Sequence, residues 1–115
     1  KTGRLIQYSC EAGAILGRAA PQQRALLAAY GRDIGAAFQI ADDLLDVEGD
    51  SAALGKTAGK DEAAGKATMV AVLGIERARA HADALSRQAA AHLESFGEKA
   101  ALLRDLAAYM VARRN

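Results

Sequence analysis

The sequence predicts an all-α fold, and three observations carry that expectation. Apolar residues recur at helical spacing over most of the 115 residues. No segment alternates with the period of two that a half-buried strand needs. Hydrophobic residues make up 51% but aromatics only 4%, with no Trp, so burial rests on Ala, Leu, Ile and Val. Each Ala contributes little at about 25 cal/mol per Å² of apolar surface removed from water, and a core built that way needs several helices or a partner. The length suits one small domain over 1–115, a helical half-barrel or bundle.

Residues 1–18 place Leu5, Tyr8, Ala12, Ile15 and Leu16 at helical spacing and predict a first helix. Gly13 and Gly17, four apart, are expected where another helix comes close. Pro21 breaks the chain, and its fixed φ suits the first turn of the next helix. That helix is predicted over about 22–48, through Leu26, Leu27, Tyr30, Ile34, Ala37, Phe38, Ala41 and Leu45. Gly31 and Gly35 weaken its middle by up to about 1 kcal/mol each relative to Ala, so they are expected to admit a neighbour or a ligand. About 49–66 reads as a loop, with Gly49, Gly55, Gly59 and Gly65 interleaved with Lys56, Lys60 and Lys66. A short apolar segment over 67–73 is reset by Gly74. A helix over about 75–96 then sets Ala78, Ala82, Leu85, Ala89 and Leu93 on one face, against a sign-mixed face of Glu76, Arg77, Arg79, Asp83, Arg87, Gln88 and Glu94. Gly97 is expected to end it, and a last helix over about 98–113 should close on the others through Leu102, Leu103, Leu106, Tyr109 and Met110.

Fifteen Lys and Arg against 14 Asp and Glu leave a net charge of +1, which gives no reason to expect nucleic acid or an anionic membrane as partner. No apolar run is long enough to span a bilayer, and no secretory signal is present. The single Cys10 excludes an internal disulfide and a multi-cysteine zinc site, and fits a reducing cytoplasm. With no His near it in sequence, it reads as a small buried hydrophobe rather than a nucleophile. His81 and His92 lie three turns apart, too far for one metal, and read as partly exposed structural residues. The first residue is Lys1 and not Met, so a processed piece or a fragment is expected.

The most informative stretch is Phe38-Gln39-Ile40-Ala41-Asp42-Asp43-Leu44-Leu45-Asp46-Val47-Glu48-Gly49-Asp50. At about 100° per residue, Asp46 falls about 40° from Asp42, Gln39 about 60°, Asp43 about 100° and Gly35 about 20°. The rest of the circumference is apolar, so one narrow stripe carries three carboxylates and an amide. No Lys or Arg stands three or four residues from these acids in sequence, whereas an ordinary exposed face mixes signs. Asp42 and Asp46, one turn apart, repel each other, and a positive partner is expected. Carboxylate oxygens with room for water suit a hard cation, Mg2+ before Ca2+, because Mg2+ keeps several waters and takes one or two carboxylates plus substrate phosphates. The alternative is a helix end whose acids simply face solvent. The lysines of the following loop are not in Walker order, but directly after the acids they read as the other half of one anion site. Gly35, on the same stripe, leaves room for a ligand running along it.

Lys1-Thr2-Gly3, that acidic stretch, Leu54-Gly55-Lys56, Gly65-Lys66-Ala67-Thr68 and the helix start at Leu73-Gly74-Ile75-Glu76 resemble, in order and spacing, the C-terminal part of the trans-isoprenyl diphosphate synthases. Farnesyl and geranylgeranyl diphosphate synthases are the members it looks most like, over nearly the whole chain. The resemblance implies the C-terminal portion of the isoprenoid synthase helical bundle, where two aspartate-rich motifs face each other across a cavity and hold Mg2+ on an allylic diphosphate. It implies that Asp42, Asp43 and Asp46 form the second motif and bind metal. By the same resemblance Lys1, Thr2 and Lys56 contact the allylic diphosphate, Gln39 stands beside the reacting centre, and Phe38 is its aromatic neighbour. Asp42, Asp43, Gln39 and Lys56 are thus the expected catalytic set, and allylic and isopentenyl diphosphates the expected substrates. A cytoplasmic homodimer is expected of the full-length protein.

Two departures qualify the resemblance. Only one Asp-Asp-x-x-Asp is present, so the chain alone is expected to be inactive, and Met69-Val70 stand where the family often has Tyr-Pro. An alternative from another class is a non-catalytic helical subunit that modulates a partner prenyl synthase. A terpene cyclase is a third reading, but the lysine-glycine loop fits the chain-elongating enzymes better.

Overall fold

The computed structural model describes residues 2–52 and 69–112. Five α-helices and one 3-10 segment make up the described chain: α1 (Thr2–Leu16), α2 (Pro21–Ala52), α3 (Met69–Leu73), α4 (Ile75–Ala91), the 3-10 segment (Glu94–Ala100) and α5 (Ala101–Ala112). Among the described residues there is no strand, in keeping with the all-α expectation. At 32 residues and about 1.5 Å each, α2 is the longest described element.

The two first helices are joined by a tight reversal. Arg18 takes a positive φ of 56°, the Ala19 N–H reaches the Ala14 carbonyl at 2.9 Å and the Arg18 N–H reaches Ile15 at 3.0 Å. This is a Schellman closure, which satisfies carbonyls that the end of α1 leaves without helical partners. Pro21 then opens α2, and the Gln23 side chain accepts the Ala20 N–H at 3.0 Å. The predicted loop begins later than expected, because residues 49–52 continue α2.

α1 runs antiparallel along one side of α2, with Gly3 against Gly35 and Gln7 and Cys10 against Gly31. α4 and α5 pack on the opposite side. One core cluster joins Tyr30 and Ile34 to Ala89, Leu93, Ala100 and Ala107; a second joins Ile40 and Leu44 to Val70, Ala78 and Ala82. Burying a side chain the size of Leu93 is worth about 1.5–3 kcal/mol. The Tyr30 hydroxyl donates to the Leu103 carbonyl and Ser86 Oγ to the Ala107 carbonyl, each at 2.7 Å, so both buried hydroxyls are satisfied.

Several expectations about faces are corrected. Leu5, Tyr8, Ile15 and Leu16 are exposed, and α1 instead turns Gly3, Ile6, Gln7, Cys10 and Ala14 inward, because the small-residue face lets the two backbones approach. Gly13 and Gly17 are exposed and, among the described residues, meet no second helix. In α5, Leu102 and Tyr109 are exposed while Leu103, Ala107 and Val111 face the cores. α4 ends at Ala91, five residues before Phe96, where the His92 N–H is shared by the Gln88 and Ala89 carbonyls and the chain turns to bury Leu93. Gly97 sits inside the 3-10 segment at φ 66° and ψ −147°, open only to glycine, and Gly74 at φ 87° separates α3 from α4.

Candidate functional site

Gly31, Gly35, Asp42 and Asp46 share one line along α2, all within about 40° of Asp42. Its first half is occupied: a Cβ on Gly35 would lie 2.9 Å from the Gly3 Cα, and one on Gly31 would lie 2.9 Å from the Gln7 Cα. At both glycines the close neighbour is a helix, one of the two occupants the sequence allows, and Gly35 also lines an open cleft. The acids begin where α1 stops. Because the helices are antiparallel, the N-terminus of α1 points along α2 towards Asp42, about 10 Å further on at 1.5 Å per residue. An α-helix N-terminus carries unsatisfied N–H groups and the positive end of the helix dipole.

Thr2 is the first residue of α1 and is exposed. Asp42 is exposed, Asp43 and Asp46 are half-buried, and Phe38 is half-buried beside them. Gln39 is exposed, and its Nε2 donates to Asp43 Oδ1 at 3.3 Å. Among the described residues, no group of three His, Cys, Asp or Glu side chains converges closely enough to form a ready-made metal cage. Asp42, Asp43 and Asp46 would be the residues to hold Mg2+, an ion that takes one or two carboxylates and keeps several waters. Lys1 and Lys56, with the loop lysines Lys60 and Lys66, lie outside the described residues.

A cleft of about 320 Å³ follows the crossing of α1 and α2, lined by Gly3, Arg4, Gln7, Arg32, Gly35, Ala36 and Gln39. Arg4 and Arg32 line it, the Arg32 guanidinium lying 3.4 Å from Asp33, and it ends at Gln39, the glutamine bonded to Asp43. Sequence reasoning missed Arg4 and Arg32 because it sought bases within one turn of the acids. The signal was the helix crossing implied by Gly31 and Gly35, which brings a second helix's charges alongside.

Cys10 packs against the first core, and burial, helped by Glu11, pushes its thiol above the ordinary range. A thiol so shifted stays protonated near neutral pH, which agrees with a packing role. His92 Nε2 lies 2.9 Å from Asp33 Oδ2.

The family model for polyprenyl synthetases matches residues 1–108. The chain belongs to the polyprenyl synthetase family. Over its full length it is 44% identical to geranylgeranyl pyrophosphate synthase 11 of Arabidopsis thaliana, covering 32% of that protein. It is 44% identical to a dimethylallyltranstransferase of Fischerella ambigua, with 98% of this chain and 33% of that protein aligned. A crystal structure of a FPP/GFPP synthase from Zymomonas mobilis in its apo form superimposes with a TM-score of 0.80 at 50% identity, over 96% of this chain and 34% of that one. The chain thus has the helical fold of that family and spans about a third of the length of the relatives it matches.

Proposed function

We propose that this chain is the C-terminal part of a Mg2+-dependent prenyltransferase that condenses an allylic diphosphate with isopentenyl diphosphate. The observation that carries the reading is the crossing of Gly3 on Gly35, which seats the start of α1 on the side of α2 that bears Gln39 and Asp42. In this reading the α1 N-terminus, Thr2, Arg4 and the three carboxylates border one site. Anionic ligand groups suit the first three, and a cation shared with that ligand suits the last.

In this reading the allylic C–O bond breaks with its electron pair leaving on the diphosphate. The isopentenyl double bond supplies the electrons of the new C–C bond, and a proton is lost to the departing diphosphate. Asp42, Asp43 and Asp46 would hold Mg2+, which when bound neutralises charge that builds on the leaving group. Gln39 restrains Asp43 through its amide. Phe38 adds apolar surface next to Gln39, which disfavours water near a developing cation. Thr2 and the α1 N–H groups, with Lys1 and Lys56, would hold the diphosphate oxygens. A cytoplasmic homodimer is part of the proposal for the full-length protein, with the single cysteine in its favour for the compartment.

The isolated 115-residue chain, given both diphosphates and Mg2+, is expected to form no prenyl product, while the full-length protein turns over. Product from the isolated chain would refute the assignment of only half a site to it. The alternative of a non-catalytic subunit draws on exposed Leu5, Tyr8, Leu16, Leu102 and Tyr109, apolar surface of the kind a partner covers. Co-expression that altered the product length of a partner synthase would favour that alternative.

A further inference from the structure

Asp33 is a buried acid on the back of α2. It lies nine positions before Asp42, about 180° round the helix and about 14 Å along it. Its side chain is only 4% exposed. A carboxylate taken out of water costs several kcal/mol unless donors satisfy it. Here Gln88 Nε2 donates to Oδ2 at 3.0 Å, His92 Nε2 lies 2.9 Å from the same oxygen, and Arg32 Nε lies 3.4 Å from Oδ1. Both donors to Oδ2 come from one place, the C-terminal turn of α4 and its cap. The imidazole must carry its proton on Nε2 to make this bond.

We propose that Asp33 is a positioning residue for the diphosphate site: the clasp from Gln88 and His92 sets the rotation of α2 about its own axis, and with it the direction of Asp42 and Asp46. The proposal rests on the reading of the acidic stripe as the metal-diphosphate wall. Apolar contacts such as those of Ile34, Ile40 and Leu44 with α3, α4 and α5 are non-directional, and small rotations between such surfaces cost little. Two hydrogen bonds to a buried charge are directional, and lengthening them exposes the desolvation penalty. A carboxylate sits roughly 5–6 Å from the helix axis, so a rotation of about 10° moves it by about 1 Å. Displacements of about 1 Å at a reacting centre can cost about 10²-fold in rate. With α1 seated at Gly35 on one side and the clasp at Asp33 on the other, α2 is held from front and back.

The test uses the full-length synthase with Asp33→Asn, His92→Leu, His92→Gln and Asp42→Ala, following kcat, KM for isopentenyl diphosphate, the Mg2+ concentration for half-maximal rate, and the melting temperature. Asp33→Asn and His92→Leu are expected to lower kcat by about tenfold or more and raise the Mg2+ requirement, with KM for isopentenyl diphosphate unchanged. His92→Gln keeps a donor at the same reach and is expected to restore both quantities to within about twofold. If His92→Gln and His92→Leu behave alike, or if Asp33→Asn changes only the melting temperature, the positioning role is overturned. Asp42→Ala separates the two levels. Should Asp42→Ala keep full activity, the metal-wall reading itself falls; should it abolish activity while Asp33→Asn has none of these effects, only the positioning role falls.

Discussion

Gly35 decides how close α1 can come to α2. A Cβ at that position would lie 2.9 Å from the Gly3 Cα and 3.0 Å from its carbonyl oxygen, both backbone atoms that cannot swing aside. Gly35→Ala is therefore expected to push the helices apart and destabilise by about 1–3 kcal/mol, a loss measurable by denaturant unfolding. Gly13→Ala in the same assay meets nothing within 4 Å and should stabilise by up to about 1 kcal/mol through helix propensity. Tyr30 carries a pH dependence. Burial, with a smaller contribution from Cys10, pushes its hydroxyl up to about 12, against about 10 in an unfolded chain. The folded state thus holds the proton more tightly. The stabilisation is complete below pH 10 and is lost as pH rises towards 12, by roughly 2–3 kcal/mol. Tyr30→Phe should abolish that decline relative to wild type, at a cost of about 1 kcal/mol for the bond to Leu103. Unfolding free energies at intervals between pH 9 and 12 measure both effects.

At the scale of elements, α2 and the inward face of α4 were legible in the sequence and the outer helices were less so. Ala78, Ala82, Ala89 and Leu93 are buried on the face that their spacing predicts, because α4 packs by side chains at regular intervals. α1 followed a different rule. Its larger apolar residues Leu5, Tyr8 and Ile15 line up as well as any core stripe, yet backbone contact at Gly3 and Gly31 turns the small-residue face inward. Periodicity finds side-chain cores and is blind to a packing whose signature is missing side chains. The end of α4 was misjudged for a related reason: Gly97 marks a backbone conformation five residues beyond the turn that buries Leu93. The acidic stripe was readable because its spacing is local. The contacts of Asp33 with Gln88 and His92 were not, since they join residues 55 and 59 positions apart.

At the scale of the whole molecule, the proposed function gives the chain one wall of a site. The chain spans about a third of the length of its relatives, and Asp42 lies about 10 Å along α2 beyond the point where the N-terminus of α1 arrives. The antiparallel crossing at Gly3 and Gly35 aims the start of α1 along α2 towards the stripe of Asp42, Asp43 and Asp46, the stripe proposed to hold a metal-bound diphosphate. The measurement that tests this most directly is steady-state turnover of the full-length protein carrying Asp42→Ala, with allylic and isopentenyl diphosphates and a titration of Mg2+. With the stripe as the metal-diphosphate wall, kcat is expected to fall by about 10²-fold or more, and added Mg2+ should not restore it. An unchanged kcat with an unchanged Mg2+ requirement would contradict that role of the stripe.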